Sequence, residues 1–390
     1  MNILRKLVNR FEYLRFKYFG DKVIPMSQYP FVSPNGIIAT HISACNHYNA
    51  GDTFLPVILR NLFNDSIGIK KWIDKPVQKK VKPSDISIYN SSDIVIIGGG
   101  GLFLKDTHPN NTSGWQWNCS IDMLDKIETP LVAFAIGYNR FRNQEDFEPI
   151  FTEHLNRFVE KAKFIGIRNH GSITKLKNYL YTQELKDKLT FQPCMTTLTS
   201  ILYPKLFQYS KKENFIALNC AFDRQDMRKA DDKVLTSIAK VISQLSETTK
   251  IKVYAHMTSD GKICSHLDKL SVPYEYVEFK DTTNMLSAYS RPRLVIGMRG
   301  HAQMIPFGCN TPILSIISHD KMQWFLDDIH HPEWGVDVLN PSFETELFEK
   351  AKELYNSTEK LIPILKEEQQ LLWNITQQNM NFIKSIIKNK

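Results

Sequence analysis

The 390-residue sequence lacks the features that define several large classes of protein. No apolar run reaches the ~18–20 residues that a membrane-spanning helix needs, and residues 1–20 lack the uninterrupted apolar region of a signal peptide. The six cysteines are widely spaced and form no CxxC pair, which argues against a structural zinc site and favours a reducing compartment. Zinc-finger and RNP-type motifs are also absent, so nucleic acid is not expected as a partner.

The charge of the chain nevertheless needs an explanation. There are 49 Lys and Arg residues against 41 Asp and Glu residues, which gives a formal charge of +8. Because no compact basic block indicates nucleic-acid binding, an anionic substrate or an anionic membrane surface is the favoured partner. Hydrophobic residues make up 42% of the chain, and this content allows sizeable cores in a folded protein.

Residues 1–20 contain apolar residues at helical spacing, and most of the remaining positions are basic or polar. An amphipathic basic helix of this kind can lie in an anionic membrane surface. It can equally pack on the body of its own protein. The sequence leaves both interpretations open.

Short apolar runs alternate with amphipathic helical segments along most of the chain. In the first half, predicted strands lie at residues 37–42, 66–73, 93–97, 131–136 and 164–167. In the second half, they lie at residues 215–219, 250–255, 274–279, 294–296 and 313–317. Two successive series of this kind predict an α/β protein with two doubly wound, Rossmann-like domains that face a cleft.

The domain organisation follows from these two series. We expect an amphipathic N-terminal segment (residues 1–30), an N-terminal α/β domain (31–208), a C-terminal α/β domain (209–342) and a helical tail (343–390). The tail reads as two helices that are broken near Ser357, and we expect it to pack over the junction between the domains.

Cationic and titratable side chains follow two consecutive strands of the second series. Arg299 and His301 come after the first of these strands, and His319 and Lys321 come after the next. Ligands of open parallel sheets bind beyond the carboxyl ends of the strands. Cations gathered at one such edge repel one another unless an anion joins them. A single histidine there is more often structural, but the cluster predicts an anion site.

The first series carries matching features. Arg168 follows a buried strand, as Arg299 does, and either pairs with a carboxylate or contacts a ligand. Asp52 is a good helix N-cap after the first strand, at a helix N-terminus that suits an anion or a polar ligand.

A glycine run and an aromatic stretch complete the candidate site in the first half. Gly98, Gly99, Gly100 and Gly101 follow a buried strand, where a backbone without side chains lets a ligand approach closely. They match neither the dinucleotide motif GxGxxG nor a P-loop. The stretch that follows reads as a long binding loop, and Trp115 within it is a candidate to stack on a sugar ring.

These residues together resemble the polysaccharide pyruvyl transferase family. The resemblance rests on NAGD at residues 49–52, DIVIIGGGGL at 93–102, GIRNHGS at 166–172 and above all the MRGH motif at 298–301 with the following Lys321. It covers roughly residues 36–330. The chain has Gln192 where the family often has Asp, and Gly300 where a bulkier residue is commoner.

The resemblance implies a fold like that of GT-B glycosyltransferases, with the acceptor on the N-terminal domain and the donor on the C-terminal domain. It implies phosphoenolpyruvate as the donor substrate and no cofactor. The acceptor is then a sugar of a surface polysaccharide, such as a capsule or an exopolysaccharide, either free or linked to a lipid. The expected location is the cytoplasm, including the inner face of the membrane, with residues 1–20 as a candidate for peripheral contact.

The resemblance also suggests residue roles. His301, Arg168 and Lys321 match the catalytic and donor positions, with His301 as general acid/base. Arg299 and His319 are additional candidates for substrate binding. No metal is expected, because these cations can supply the electrostatic stabilisation. A GT-B glycosyltransferase that uses a nucleotide sugar and a non-catalytic glycan-binding protein remain the alternatives.

Overall fold

The structure is a computed structural model that describes residues 35–44, 49–207, 211–229, 231–279 and 282–388. It contains two six-stranded sheets, and every strand pair in them is parallel. The predicted α/β class with two doubly wound domains is therefore confirmed. The predicted basic helix at residues 1–20 lies outside the described residues, so its role stays a prediction.

The first sheet has the strand order β2-β1-β3-β4-β5-β6. Its strands are β1 (Ile37–Ser43), β2 (Ile69–Pro76), β3 (Ile94–Phe103), β4 (Leu131–Tyr138), β5 (Phe164–Ile167) and β6 (Leu189–Phe191). Its helices are α1 (Ala50–Ile67), α2 (Pro83–Asn90), α3 (Ile121–Asp125), α4 (Pro149–Lys161), α5 (His170–Lys177) and α6 (Gln183–Asp187). The strand order reverses between β1 and β3, and a crevice opens at their carboxyl ends.

The second sheet has the order β12-β11-β10-β7-β8-β9 and reverses between β7 and β10. Two short helices, α7 (Thr199–Leu202) and α8 (Pro204–Phe207), precede it. Its strands are β7 (Glu213–Asn219), β8 (Lys250–Ala255), β9 (Tyr274–Glu278), β10 (Pro292–Gly297), β11 (Ile313–Ile317) and β12 (Gly335–Asp337). Its helices are α9 (Gln225–Arg228), α10 (Asp232–Ser246), α11 (Cys264–Lys269), α12 (Thr282–Tyr289), α13 (His301–Gly308) and α14 (Asp320–Asp328).

Two local predictions in the first domain need correction. The N-cap of α1 is Asn49, whose Oδ1 accepts a hydrogen bond from the Gly51 N–H at 3.1 Å, whereas Asp52 lies inside the first turn. The glycine run does not follow its strand but forms part of β3. The strand continues because its backbone still pairs with β4, and Gly100 supplies the positive φ of 101° at the point where the register shifts.

The C-terminal tail forms two helices, α15 (Phe343–Asn356) and α16 (Thr358–Lys388), and the predicted break at Ser357 is confirmed. Helix α16 contacts both domains. The Asn379 side-chain N–H donates to Gln192 Oε1 at 3.0 Å, and the Gln369 side-chain N–H donates to the carbonyl of Phe307 at 2.6 Å. The tail therefore packs over the domain junction. Within the described ranges, no helix is both long enough and apolar enough to cross a membrane.

Polar contacts also join the two domains directly. Arg142, which follows β4, forms a hydrogen-bonded pair with Asp337 at 2.7 Å and 3.1 Å and also contacts Asp320. At the start of α5, after the next strand of the first sheet, the His170 Nδ1 lies 2.8 Å from Asp328 Oδ1. These contacts hold the carboxyl ends of the two sheets against each other.

Three buried histidines should make the stability of this protein depend on pH. Burial lowers the pKa of His41 to about 3, that of His154 to about 4 and that of His256 to about 3. Histidines of the unfolded chain titrate near 6.5, so below that pH the unfolded state binds more protons than the folded state. The free energy of unfolding should therefore fall as the pH drops, by about 4 kcal/mol per pH unit from these three groups together.

Denaturant unfolding between about pH 7.5 and 5 measures this effect. We expect a midpoint that is nearly constant above the histidine range and decreases steeply below it. A midpoint that does not change across this range would contradict the prediction.

Candidate active site

The carboxyl ends of the two sheets face one cleft of about 640 Å³. We call it the interdomain cleft, and both sheets contribute to it at their switch points. From the first domain its lining includes Asn49, Asp52, Gly99, Gly100, Gly101, Asn139 and Arg168. From the second domain it includes Asp223, Arg224, Arg228, His256, Arg299, His301 and Lys321. Most of the residues predicted from the sequence thus meet in one place.

His301 is a neutral imidazole at the start of α13. Its side chain is about one-tenth exposed, and its Nδ1 lies 3.5 Å from Asp52 Oδ1. Its Nε2 has no hydrogen-bond partner in the part of the chain that the structure describes. Burial, and then the nearby positive charge of Arg168, hold the pKa of His301 well below its ordinary value. The ring therefore offers an unprotonated nitrogen.

Arg168 is a buried cation without a carboxylate partner among the described residues. Its side chain leaves β5 and crosses Gly137 of β4, where a Cβ would collide with its Nε. The residue is 7% exposed, and its Nε–H has no acceptor within the described ranges. Burial lowers the pKa of Arg168 below its ordinary value, and Cys194 and Asp52 offset only part of this effect, so the protein compensates this charge incompletely.

Lys321 lies near Arg168, in the first turn of α14. Its ammonium group donates to Asn139 Oδ1 at 2.6 Å, a contact between the two domains. Burial lowers the pKa of Lys321 well below its ordinary value, and Arg168 and Arg228 lower it further. An anion bound between Lys321 and Arg168 would reverse this repulsion.

Arg299 differs because its charge is compensated. Its Nε and Nη2 donate to the fully buried carboxylate of Asp260 at 2.9 and 2.5 Å, and Nη2 also lies 2.6 Å from Asp223. Burial alone would lower the pKa of Arg299, but the two carboxylates raise it above its ordinary value. Arg299 therefore contributes less uncompensated charge to the cleft than Arg168 does.

Sequence reasoning missed several polar residues of the cleft, among them Arg228, Arg224 and Asn139. Arg228 pairs with Asp223 at 3.3 Å, and Arg224 lies 3.1 Å from Asp106 of the first domain. Asn139 follows β4 directly. The arginines follow β7, so the rule that ligands bind beyond the carboxyl ends of strands could have indicated all three.

The predicted sugar-stacking role of Trp115 is wrong. The indole is 1% exposed, packs on Phe103 and Phe158, and donates from Nε1 to His154 Nδ1 at 2.9 Å. Trp117 beside it is also fully buried. Both rings belong to the core of the first domain, and no face of either is available to a ligand.

Two further predicted residues lie beneath the cleft and not in its lining. His319 is fully buried, its ring packs on Phe141 at 4.3 Å, and its Nδ1 caps α14 by accepting from the Lys321 N–H at 3.3 Å. The Gly98 carbonyl lies 2.8 Å from His41 Nε2, and a Cβ on Gly98 would collide with the carbonyl of Phe134. His319 and Gly98 therefore contribute to the packing beneath the cleft and do not line it. The described residues contain no group of three His, Cys, Asp or Glu side chains placed to hold a metal ion.

Solved structures with a similar chain path define the class of fold. UDP-GlcNAc 2-epimerase from Neisseria meningitidis bound to UDP-GlcNAc matches with a TM-score of 0.56 and 12% identity, over 90% of this chain and 100% of that chain. A variant of the O-GlcNAc transferase from Thermobaculum terrenum matches with a TM-score of 0.50 and 10% identity, over 91% of this chain and 66% of that chain. At this identity the likeness shows the fold alone, which is GT-B-like.

The family follows from the sequence itself. The family model of polysaccharide pyruvyl transferase matches residues 19–320, which is most of the chain. The chain therefore belongs to the polysaccharide pyruvyl transferase family, a family of enzymes, as its motifs indicated. A comparison with curated proteins gives no match.

Arg168 and Arg299, two of the arginines that line the cleft, should respond to substitution in opposite directions. Arg168→Met removes a buried charge that forms no ion pair with a carboxylate in the described structure, so the free energy of unfolding of the ligand-free protein should rise, on the order of 1–3 kcal/mol. Arg299→Met leaves Asp260 buried without its partner, so it should lower that free energy by about 3–5 kcal/mol. Denaturant unfolding of both variants beside the wild type measures the difference. A similar loss of stability in both would show that Arg168 is a structural residue.

Proposed function

We propose that this enzyme transfers the enolpyruvyl group of phosphoenolpyruvate to two hydroxyls of one sugar in a surface polysaccharide or its precursor. The product is a pyruvate ketal, and phosphate is released. One observation carries the proposal: Arg168 and Lys321 lie without carboxylate partners in the described structure, beside the unpaired Nε2 of His301. Family membership supports the same reaction class.

Phosphoenolpyruvate carries a carboxylate and a phosphate, and the cleft offers cations for both. In our proposal Arg168 and Lys321 bind these two anionic groups. A guanidinium suits either group because its parallel N–H bonds match two oxygens. Arg224 and Arg228 lie in the same lining and add to the positive potential there. Donor binding would remove the repulsion that lowers the pKa of Lys321.

The chemistry that we propose needs one proton to move onto carbon. Protonation of the methylene carbon of phosphoenolpyruvate gives cationic character to the central carbon. A sugar hydroxyl forms a C–O bond there, and the C–O bond to phosphate then breaks. The second hydroxyl closes the ring. Of the two hydroxyl protons, one ends in the methyl group and the other on the released phosphate, so the step needs no oxidant or reductant.

His301 is our candidate for the proton transfers. Burial and the surrounding cations lower the pKa of His301, so the ring is neutral in the resting site, and its Nε2 has no hydrogen-bond partner in the described structure. It can therefore accept the proton of the attacking hydroxyl and then deliver a proton to the methylene carbon. The anionic donor would raise the proton affinity of the ring while it is bound. Arg168 and Lys321 would stabilise the departing phosphate.

We place the sugar acceptor against the first-domain side of the cleft. Gly99, Gly100 and Gly101 form a wall there without side chains, and Gln78 and Gln116 offer uncharged amides to hydroxyl groups. The volume of about 640 Å³ lies within the ~300–1,000 Å³ range of pockets that hold drug-sized ligands. A donor and one sugar ring can therefore share the cleft. The proposal places the reaction in the cytoplasm, on an acceptor that is either free or lipid-linked.

Phosphate release from phosphoenolpyruvate tests the function directly. Purified protein is incubated with the donor and with acceptors that end in galactose, glucose or N-acetylhexosamine, in free and lipid-linked forms. We expect release that depends on one acceptor, with a matching gain of mass on the sugar. His301→Asn should abolish both signals because it removes the group that moves the proton. The exposed His330, which also lies in the second domain, provides the matched control variant His330→Asn with unchanged activity.

Two other functions give different results in the same experiment. A glycosyltransferase would release a nucleotide from a nucleotide sugar, and the structural neighbour bound to UDP-GlcNAc makes that sugar the first to test. A glycan-binding protein would bind the acceptor without any product. Full phosphate release by His301→Asn would remove His301 from the mechanism while leaving the reaction in place.

A further inference from the structure

The first turn of α1 lies directly against the His301 ring, although the two belong to different domains. A Cβ added to Gly51 would lie 2.5 Å from His301 Nδ1 and 2.6 Å from its Cβ. The Ala50 N–H also donates to the carbonyl of His256, in the second domain, at 3.2 Å. The helix N-terminus is therefore docked on the second domain, and glycine at position 51 is what allows the close approach.

Asp52 presents its carboxylate to this ring with a defined orientation. Its Oδ1 lies 3.5 Å from His301 Nδ1, and its Oδ2 accepts from the Asn49 side-chain N–H at 2.9 Å. Asn49 already caps the helix, so capping does not require Asp52. One carboxylate oxygen is thus fixed within the first domain, and the other is directed at the histidine.

We propose that Asp52 is a positioning residue, whose ionised carboxylate holds His301 with a proton on Nδ1 and the lone pair of Nε2 directed into the cleft. Burial raises the pKa of Asp52, and the positive charges of Lys321, Arg299 and Arg168 act against that rise. While its carboxylate is ionised it only accepts hydrogen bonds, so the nitrogen that faces it must carry the proton. The neutral ring has one proton, which leaves Nε2 as the free base. The catalytic consequence rests on the proposed function, whereas the tautomer does not.

The groups around His301 explain why one carboxylate matters there. Arg168 lies at the end of β5, His256 at the end of β8, and Lys321 in α14, while Arg299 is two residues before His301 in its own segment. Each of these groups disfavours a proton on the imidazole. Asp52, from α1, is the group of opposite charge that lies within ion-pair distance of the ring in the described structure.

The arrangement also takes the proposed base and the carboxylate that orients it from different domains. His301 comes from the second sheet and Asp52 from the first, so the orientation of the ring depends on the domains lying as they do here. If the cleft opened, the histidine would lose the group that fixes its tautomer. Asp52 would then make the tautomer of His301 that acts as a base depend on closure of the domains.

Nuclear magnetic resonance of ¹⁵N-histidine-labelled full-length protein without substrate tests the tautomer. The His301 signals are assigned by their absence in His301→Asn. In the wild type we expect a protonated Nδ1 and an unprotonated Nε2. Asp52→Asn and Asp52→Ala should give mixed tautomers and a lower pKa of the ring. Asp65→Asn removes a carboxylate from the same helix about 20 Å away and should change nothing.

Kinetics provides the second readout. Loss of positioning should lower kcat by about 10²- to 10⁴-fold in Asp52→Asn, with the KM for phosphoenolpyruvate nearly unchanged and the acid limb of the pH profile moved to lower pH. If Asp52 instead contacts the acceptor sugar, the KM for the acceptor should rise and the acid limb of the pH profile should not move.

An Nε2-protonated tautomer in the wild type, or His301 signals that the Asp52 substitutions leave unchanged, would overturn the proposal. A protein that shows the expected tautomer but no activity with phosphoenolpyruvate would instead contradict the proposed function. The spectra also report whether each variant is folded. Both Asp52→Asn and Asp52→Ala are examined, so the proposal can still be tested if one of the two variants does not fold.

Discussion

Positive charge buried between two domains is the constraint on which the rest of this structure depends. The protein compensates part of that charge itself, because Asp260 and Asp223 neutralise Arg299. It leaves Arg168, which is buried, and Lys321, which is half-buried, without carboxylate partners in the described structure, although burial disfavours the charged forms of both. Such an arrangement lowers stability unless an anion is bound. This arrangement supports our proposal of a donor with two negative groups, and the rest of the fold provides the stability that the arrangement removes.

The second consequence is that neither domain contains a complete site. Lys321 reaches across to Asn139, and His301 receives the carboxylate of Asp52. Arg142 joins the two sheets beyond the cleft, and helix α16 covers the junction from outside. These contacts fix the distance between groups that belong to different sheets. A rearrangement of the domains would separate the cations from each other and His301 from Asp52, so in the proposed mechanism catalysis is coupled to the relative position of the domains.

The strand-end residues could be predicted from sequence because parallel strands are buried on both faces and read as continuous apolar runs. Residues that follow such a run within a few positions lie at the ligand edge of the sheet. For this reason the sequence predicts Arg168, His301 and Lys321 as residues of the site. The same logic fails for side chains whose burial depends on tertiary packing. Trp115 stands among polar residues that suggest a loop, yet its indole completes an aromatic core with His154. No spacing in the sequence distinguishes that burial from exposure.

The two departures from the family pattern have local structural causes. Gln192 is fully buried, donates to Thr376 Oγ1 at 3.2 Å and accepts from Asn379, so its amide joins the first domain to helix α16. A carboxylate at this position could not donate to the threonine hydroxyl. Gly300 faces Lys321, because a Cβ there would lie 3.9 Å from the lysine Cε. A bulkier residue would extend into the space through which Lys321 reaches Asn139. One departure therefore joins the tail to the first domain and the other lies against Lys321, and neither changes the wall on which we place the acceptor.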